Sequence, residues 1–257
     1  MIDHISIVII TRNAADTLDA ALASVDRFSN VVVYDNNSDD LTPTIARQHH
    51  NVAYHEGAFT GFGPTKNAAV DLAQNDWVFS LDADEKMNPI LVDALARWSP
   101  GDIHSVGEIV RENQFMGQTI HRGGWGNDRL IRLFNRTVHR FNDAAVHEKV
   151  KTTNLSKIKP LQGVILHATV RELSQCLQKV DRYTELRRDT LGHTYPSSVI
   201  FLKALFTFFR TYVLKLGLLD GWRGLAIAWS EANGTFYKYM KIHADRQVKR
   251  ERPRIPD

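Results

Sequence analysis

Asp82, Asp84 and Glu85 stand together in the tetrapeptide Asp82-Ala83-Asp84-Glu85, directly after the run WVFSL. Carboxylates two positions apart on extended backbone point the same way. At a strand end such a pair can bind a hard divalent cation through oxygen and contact a sugar hydroxyl. The competing structural use is an acidic cap, because Asp84 or Asn88 could start a helix over 89–98. Asp35, followed by Ser38 and Asp39, carries the same choice between a nucleotide-facing carboxylate and an Asx-turn or cap for a helix at Leu41. Gly61-Phe62-Gly63-Pro64-Thr65-Lys66-Asn67 opens a further helix, a place where backbone N–H groups and a lysine could meet phosphate. Its second glycine is not followed by Lys-Ser/Thr, so it is not a P-loop.

These residues need a scaffold, and the first hundred positions supply a regular one. Short β-branched runs at 5–10, 31–34, 52–54 and 77–81 alternate with apolar-periodic segments, one carrying Leu18, Leu22 and Val25, the others at 41–50 and 64–74. A β-α-β-α-β-α-β order predicts an α/β fold with a parallel sheet covered on both faces. Ligands in such sheets sit beyond the carboxyl ends of the strands. Three polar clusters fall at those ends: Thr11-Arg12-Asn13, the stretch Asp35 to Asp39, and Asp82 to Glu85. Thr11 and Asn13 are therefore counted with the ligand-binding candidates.

After Ser105 the alternation stops, and a Gly- and Trp-containing loop over 117–127 precedes a strand at 130–134. This region reads as extra strands and an acceptor-facing loop, with Arg129 and Arg132 as candidate phosphate partners. Beyond His167 the pattern is helical, over 172–190, 199–216 and 222–246. The expected division is a catalytic domain over 1–168 and a helical, basic region over 169–257.

Composition excludes several classes. With 257 residues, 43% hydrophobic and 24% charged, the chain can build a core and lacks the charge excess of a disordered one. Its single cysteine, Cys176, excludes an internal disulfide framework and a Cys-based zinc site. A six-residue apolar run without a basic flank predicts no export, hence a cytoplasmic protein. Residues 210–257 hold 10 basic and 5 acidic side chains, against 22 and 24 in residues 1–209. A basic tail suits a polyanionic surface.

On a helical wheel Phe201, Leu205, Phe208, Phe209, Tyr212 and Leu216 form one arc and Lys203, Thr207, Arg210 and Thr211 another. Such a helix either packs on the domain or lies in the interface of an anionic membrane, and the latter is the expected partner here, with no nucleic acid. Lys203, Arg210 and Lys215 argue against a spanning helix. A non-catalytic nucleic-acid- or membrane-binding module is the alternative from another class. A nucleotidyltransferase is disfavoured because Thr11-Arg12-Asn13-Ala14 is not a Gly-rich loop.

The segments SIVIITRNAADTLDAALASV, VVVYDNNSDDLT, GFGPTKNAAVDLA and DWVFSLDADE, in this order, resemble the family 2 glycosyltransferases of GT-A fold over residues 4–170. The resemblance implies a Rossmann-like mixed sheet flanked by helices, with the C-terminal helices as an appendage. It implies that Asp35 holds the nucleotide base, that Lys66 and Asn67 lie near the nucleotide, and that Asp82 contacts the nucleoside. Asp84 would bind the divalent metal, Mg or Mn, that bridges the diphosphate of a nucleotide-sugar, expected to be a UDP-sugar. GGWGNDRLIRLFNR, VHEKV and ILHATV resemble a narrower group, bacterial glycosyltransferases of lipopolysaccharide inner-core assembly, including β-glucosyltransferases acting on a core heptose. Ala14 and Asn37 depart from the Glu and Gly common in relatives.

The implied reaction is an inverting transfer of a hexose, expected to be glucose, to a lipid-linked saccharide on the cytoplasmic face of the inner membrane. A polyprenyl phosphate or another surface polysaccharide is the alternative acceptor. One carboxylate must take the acceptor proton. Glu148 matches the acidic residue at the family's acceptor side and Asp128 is second; the plainer reading makes Glu148 a solvated strand end. His167 could complete a metal shell of Asp84 and Asp82, since imidazole with carboxylate suits Mn²⁺, or it is a hydrogen-bonded core residue.

Overall fold

The computed structural model describes residues 1–251 apart from 100, 127, 144–147 and 189–191, and omits the side chains of 186 and 250. Four parallel strands come first: β1 (Ile5–Thr11), β2 (Val31–Asp35), β3 (Val52–Glu56) and β4 (Trp77–Ser80), with helices α1 (Leu18–Ala23), α2 (Thr42–Gln48) and α3 (Phe62–Asp71) between them. They lie in the order β3-β2-β1-β4, with Val8 opposite both Val32 and Ser80. The period-2 rule sorts the β1 side chains into two cores. Ile5, Ile7 and Ile9 join Leu22, Val31, Phe79 and Leu95 on one face, while Val8 joins Val32, Val78, Ala69 and Phe134 on the other. Burial on both faces explains why β1 reads as a continuous apolar run.

Antiparallel strands extend this half. β5 (Glu85–Met87) leads into α4 (Pro89–Ala96), followed by β6 (Ser105–Phe115), β7 (Gln118–Thr119), β8 (Asp128–Asn135) and β9 (Lys157–Val170). The sheet runs β3-β2-β1-β4-β8-β6-β9-β5, with β7 paired to β6. β5 is too short to show a pattern of its own. It exists by pairing with β9, Glu85 opposite His167 and Met87 opposite Ile165.

Asn88 settles which residue caps α4. Its Oδ1 accepts from the Leu91 N–H at 2.9 Å and from the Val164 N–H at 3.1 Å. Gly163, beside it at φ 92°, leaves no room for a Cβ, which would lie 2.4 Å from the Leu91 nitrogen. Replacing Asn88 by Ala removes both acceptors and is expected to destabilise this half by about 1–2 kcal/mol. A urea titration monitored by circular dichroism measures it, and an unchanged midpoint would contradict the cap.

Two compact units divide the chain, Met1–Glu112 with Asp128–His167, and Asn113–Asn127 with Ala168–Asp257. The expected boundary at 168 omitted the segment 113–127, which clusters with the second unit because its contacts are made there. The Asn113 side chain donates to the Trp125 carbonyl, and the Gly123 N–H donates to the Lys215 carbonyl. Three helices build the rest: α5 (Ser174–Arg188), α6 (Ser197–Phe209), extended by a π-turn over Arg210–Leu214 and a 3₁₀ turn over Gly217–Asp220, and α7 (Gly221–Glu251). Arg188 grips Asp245 with two bonds at 2.6 and 2.7 Å, and Lys241 pairs with Asp181 and Glu185, tying α5 to α7. Cys176 is a buried free thiol.

Candidate active site

The first unit gathers polar side chains at the carboxyl ends of β1, β2 and β4. Asp35, the last residue of β2, is almost fully buried. Its Oδ1 accepts from Ser38 at 2.6 Å and its Oδ2 from Tyr54 at 2.7 Å. Burial and then the adjacent Asp35 push the Tyr54 phenol up, so it stays a donor. Asp35 is thus not a helix cap: Leu41 is the N-cap of α2, and Asp40 before it accepts from the Thr42 N–H at 2.9 Å and from the Ala15 N–H of the β1 loop at 3.1 Å.

Asn13, at φ 50°, stitches the β1 loop to the β2 loop: its N–H donates to Ser38 Oγ at 2.8 Å and its Oδ1 accepts from the Asp39 N–H at 3.0 Å. Thr11 Oγ1 is buried at the end of β1 without a hydrogen-bond partner among the described residues. A buried orphan hydroxyl beside Asp35 is chemically suited to a ligand group.

Beside these strand ends lies a buried web of charge. Lys66, reaching from α3, is about 3% exposed and bonds Asp82 Oδ1 and Glu148 Oε1, each at 2.7 Å. Arg132, from β8, bonds Asp82 Oδ2 at 2.8 Å and Glu85 at 2.9 Å. Arg111, from β6, bridges Glu85 and Asp128, with two bonds to Asp128 Oδ2. Glu85 is fully buried and also accepts from the Asp82 N–H. Burial alone would raise the Asp82 pKa, yet the cations Arg132 and Lys66 outweigh it and hold the carboxyl well below its usual range. Arg132 is buried too, but Asp82 and Glu85 raise its pKa and keep it charged.

Asp84, between Asp82 and Glu85, meets β9. Its Oδ2 lies 3.2 Å from His167 Nε2 on β9, an adjacency created by the β5–β9 register. Among the described residues no group of three or more His, Cys, Asp or Glu side chains is arranged to hold an ion. Asp84 and His167 form a two-residue platform of oxygen and nitrogen donors, a set that fits a divalent ion whose remaining ligands come from a bound diphosphate.

The candidates therefore separate by environment. Lys66, Asp82, Glu148 and Asp128 share the web, Asp84 and His167 face each other, and Thr11, Asn13 and Asp35 form the neighbouring strand-end group. Asn67 has a structural task, since its amide donates to and accepts from the Phe141 backbone at 3.1 and 3.0 Å. Arg129 pairs with Glu108 at the surface, while Arg132 is buried. Three positions apart on a strand, they point to opposite faces. His147 lies outside the described residues. Sequence patterns missed Arg111, which sits in a strand of mixed polarity, and Tyr54 as a partner of Asp35, whereas Ser38 is read with it from the sequence. The signal for Glu85 was its place beside the acidic pair.

A Rossmann-like parallel half, an antiparallel extension and acidic groups at the strand ends define the GT-A architecture of nucleotide-sugar-dependent transferases. Residues 6–150 match the model of Glycosyl transferase family 2, so the chain belongs to that family and is a glycosyltransferase. The non-catalytic and nucleotidyltransferase alternatives fall away. The lipopolysaccharide core biosynthesis glycosyltransferase LpsC of Rhizobium meliloti is 24% identical over 265 residues, covering 98% of this chain and 96% of its own. An uncharacterized glycosyltransferase of Rickettsia conorii is 32% identical over 263 residues, covering 93% and 90%. The crystal structure of S. aureus TarS 1–349 in complex with UDP-GlcNAc aligns over 98% of this chain and 94% of that one, at 14% identity and a TM-score of 0.46.

Proposed function

We propose that the protein is an inverting, metal-dependent hexosyltransferase that moves glucose from a UDP-sugar to a lipid-linked saccharide of the lipopolysaccharide inner core, on the cytoplasmic face of the inner membrane. The observation that carries this reading is the pairing of Asp84 with His167 beside the Lys66–Asp82–Glu148 web. Among the described residues, the cations Lys66, Arg111 and Arg132 hold the carboxylates of Asp82, Glu85, Asp128 and Glu148 in that web. The name of the R. meliloti relative supports the lipopolysaccharide assignment.

Asp84 and His167 would hold the divalent ion, which supplies charge neutralisation to the departing diphosphate. Asp35, with both oxygens fixed by Ser38 and Tyr54, orients the nucleoside, and Thr11 offers its buried hydroxyl to it. Glu148 is the base. As the acceptor oxygen attacks the anomeric carbon, Glu148 takes its proton, and the bond to the diphosphate breaks with its electron pair on the leaving oxygen. Lys66 fixes Glu148 and Asp82 in one geometry. Asp128, gripped by Arg111, positions that side of the site.

The test is transfer from a panel of UDP-, GDP- and ADP-sugars to deacylated inner-core oligosaccharide and to polyprenyl phosphate. Turnover from a UDP-sugar to the oligosaccharide is expected. Glu148→Gln should keep donor binding while lowering kcat by about 10²–10⁴. Unchanged kcat in that variant assigns the base elsewhere, and transfer only to polyprenyl phosphate replaces the acceptor.

A further inference from the structure

The helix α6 is inside out for a protein surrounded by water. The threonines of its polar arc face inward onto α7: Thr207 Oγ1 lies 3.2 Å from Thr235 Oγ1, and Thr211 donates to Glu231 at 2.6 Å, with Ile200 and Ala204 also buried. The outward arc is apolar, with Phe201, Leu202, Leu205, Phe206 and Phe209 each 44–62% exposed. The following turn adds Leu219 and the start of α7 adds Trp222, both more than half exposed. Phe208 and Tyr212 stack on each other at 5.4 Å, and Phe208 meets Trp229 edge-on. The apolar side of the wheel is therefore split. Its outer part is a row of large exposed apolar side chains, which a protein facing only water rarely leaves open.

We infer that this face of α6 and the turn after it is a monotopic docking surface for an anionic lipid bilayer, lying in the plane of the interface. Three arguments select that occupant. First, Lys203, Arg210 and Lys215 are interspersed in sequence with these apolar residues, Arg210 and Lys215 being exposed, and Asp220 is the one acidic residue among 197–222. A second copy of the chain joined by a two-fold axis would bring these cations against each other, whereas anionic headgroups pair with them. Second, Phe and Trp side chains presented outward beside Lys and Arg are the composition of an interfacial helix.

Third, the stretch Ser197–Leu214 is apolar enough by composition to span, with a mean hydropathy of 1.4, yet only 17% of it is buried. The inner side of that stretch is bonded to α7, which carries Arg223, Glu231, Lys238, Lys241 and Asp245. Crossing the hydrocarbon would drag those charges with it. Lying flat buries only the outward arc. The purpose of such docking rests on the lipid-linked acceptor proposed above, while its physics does not.

The test uses the full chain and vesicles of phosphatidylcholine alone or with about 30 mol% phosphatidylglycerol, matching the charge requirement of interfacial binding. The wild type is expected to float with the anionic vesicles, to bind neutral ones at least about tenfold more weakly, and to be released by salt. Its tryptophan emission should shift to the blue and be quenched by shallowly brominated lipids. Leu202→Ser, Phe206→Ser and Phe209→Ser combined should lower partitioning by more than about a hundredfold, since each removes buried apolar area, while the circular dichroism spectrum and donor hydrolysis in solution persist. Failure of the wild type to float, quenching at the bilayer centre, equal flotation of the triple variant, or a dimer that the triple variant dissolves without any lipid binding each overturn the proposal. Flotation without any sugar transfer would sink only the proposed reaction and leave the docking surface standing.

Discussion

Asp84→Ala is expected to abolish metal-stimulated transfer, lowering kcat by at least about 10²–10³. Folding should be little affected. Asp84 has a side chain 43% exposed, whereas Glu85 beside it is fully buried. The loss should therefore appear in the metal dependence: the wild type responds to added Mn²⁺ or Mg²⁺ and the variant does not. His167→Ala, which removes the other half of the platform, should raise the Mn²⁺ concentration needed for half-maximal rate by about 10–100-fold. Equal metal response in wild type and Asp84→Ala would dismiss this platform as the ion's holder, whatever the donor proves to be.

Arg132→Met should be the most destabilising single substitution in the first unit. It strips a buried cation from between Asp82 and Glu85, which leaves Glu85 buried with Arg111 as its remaining cation among the described residues. Removing one partner of a buried ion pair costs about 3–5 kcal/mol, or a fall in melting temperature of roughly 10 °C for a unit of this size. Arg132→Lys should recover only part, because an ammonium lacks the planar fork that spans two carboxylates. Adding Glu85→Gln to Arg132→Met should recover more, and a double-mutant cycle measures the coupling.

The same web sets the response to acid. Asp82 has a depressed pKa in the folded chain, so its stabilisation is complete above the ordinary carboxylate range and disappears as pH falls through the depressed value. The wild type should hold its structure below pH 4, with the loss starting nearer neutrality in Arg132→Met. Urea midpoints measured across that range give the comparison, and superimposable profiles would show that Arg132 contributes nothing to the low Asp82 pKa.

Much of the fold was readable because its signals are local. Each parallel strand is a short β-branched run, each helix between them has its own apolar period, and Asp35 and Asp82 fall where those runs stop. The acidic triplet left two readings open, and the structure separated them: Asn88 caps α4, which leaves Asp84 to face His167.

What stayed hidden depends on contacts between positions remote in sequence. The Lys66 ammonium meets Asp82 and Glu148, residues 16 and 82 positions away, and Arg132 meets Asp82 across 50. The register of β5 against β9 puts Asp84 beside a histidine 83 positions on. No propensity encodes such pairings, because they exist only once the sheet order and register are set. The wheel of α6 was likewise visible in the amino-acid order, but not which arc faces inward. That choice fell to α7, whose Thr235 and Glu231 give Thr207 and Thr211 their hydrogen-bond partners and leave Phe201, Leu205 and Phe209 turned outward. Sequence alone thus determined the family, the parallel half-sheet and the residue types at its strand ends, since each rests on local patterning. Tertiary structure decided which of those residues share a charge, which face the platform, and which side of a helix meets its surroundings, because burial and pairing are properties of the assembled chain.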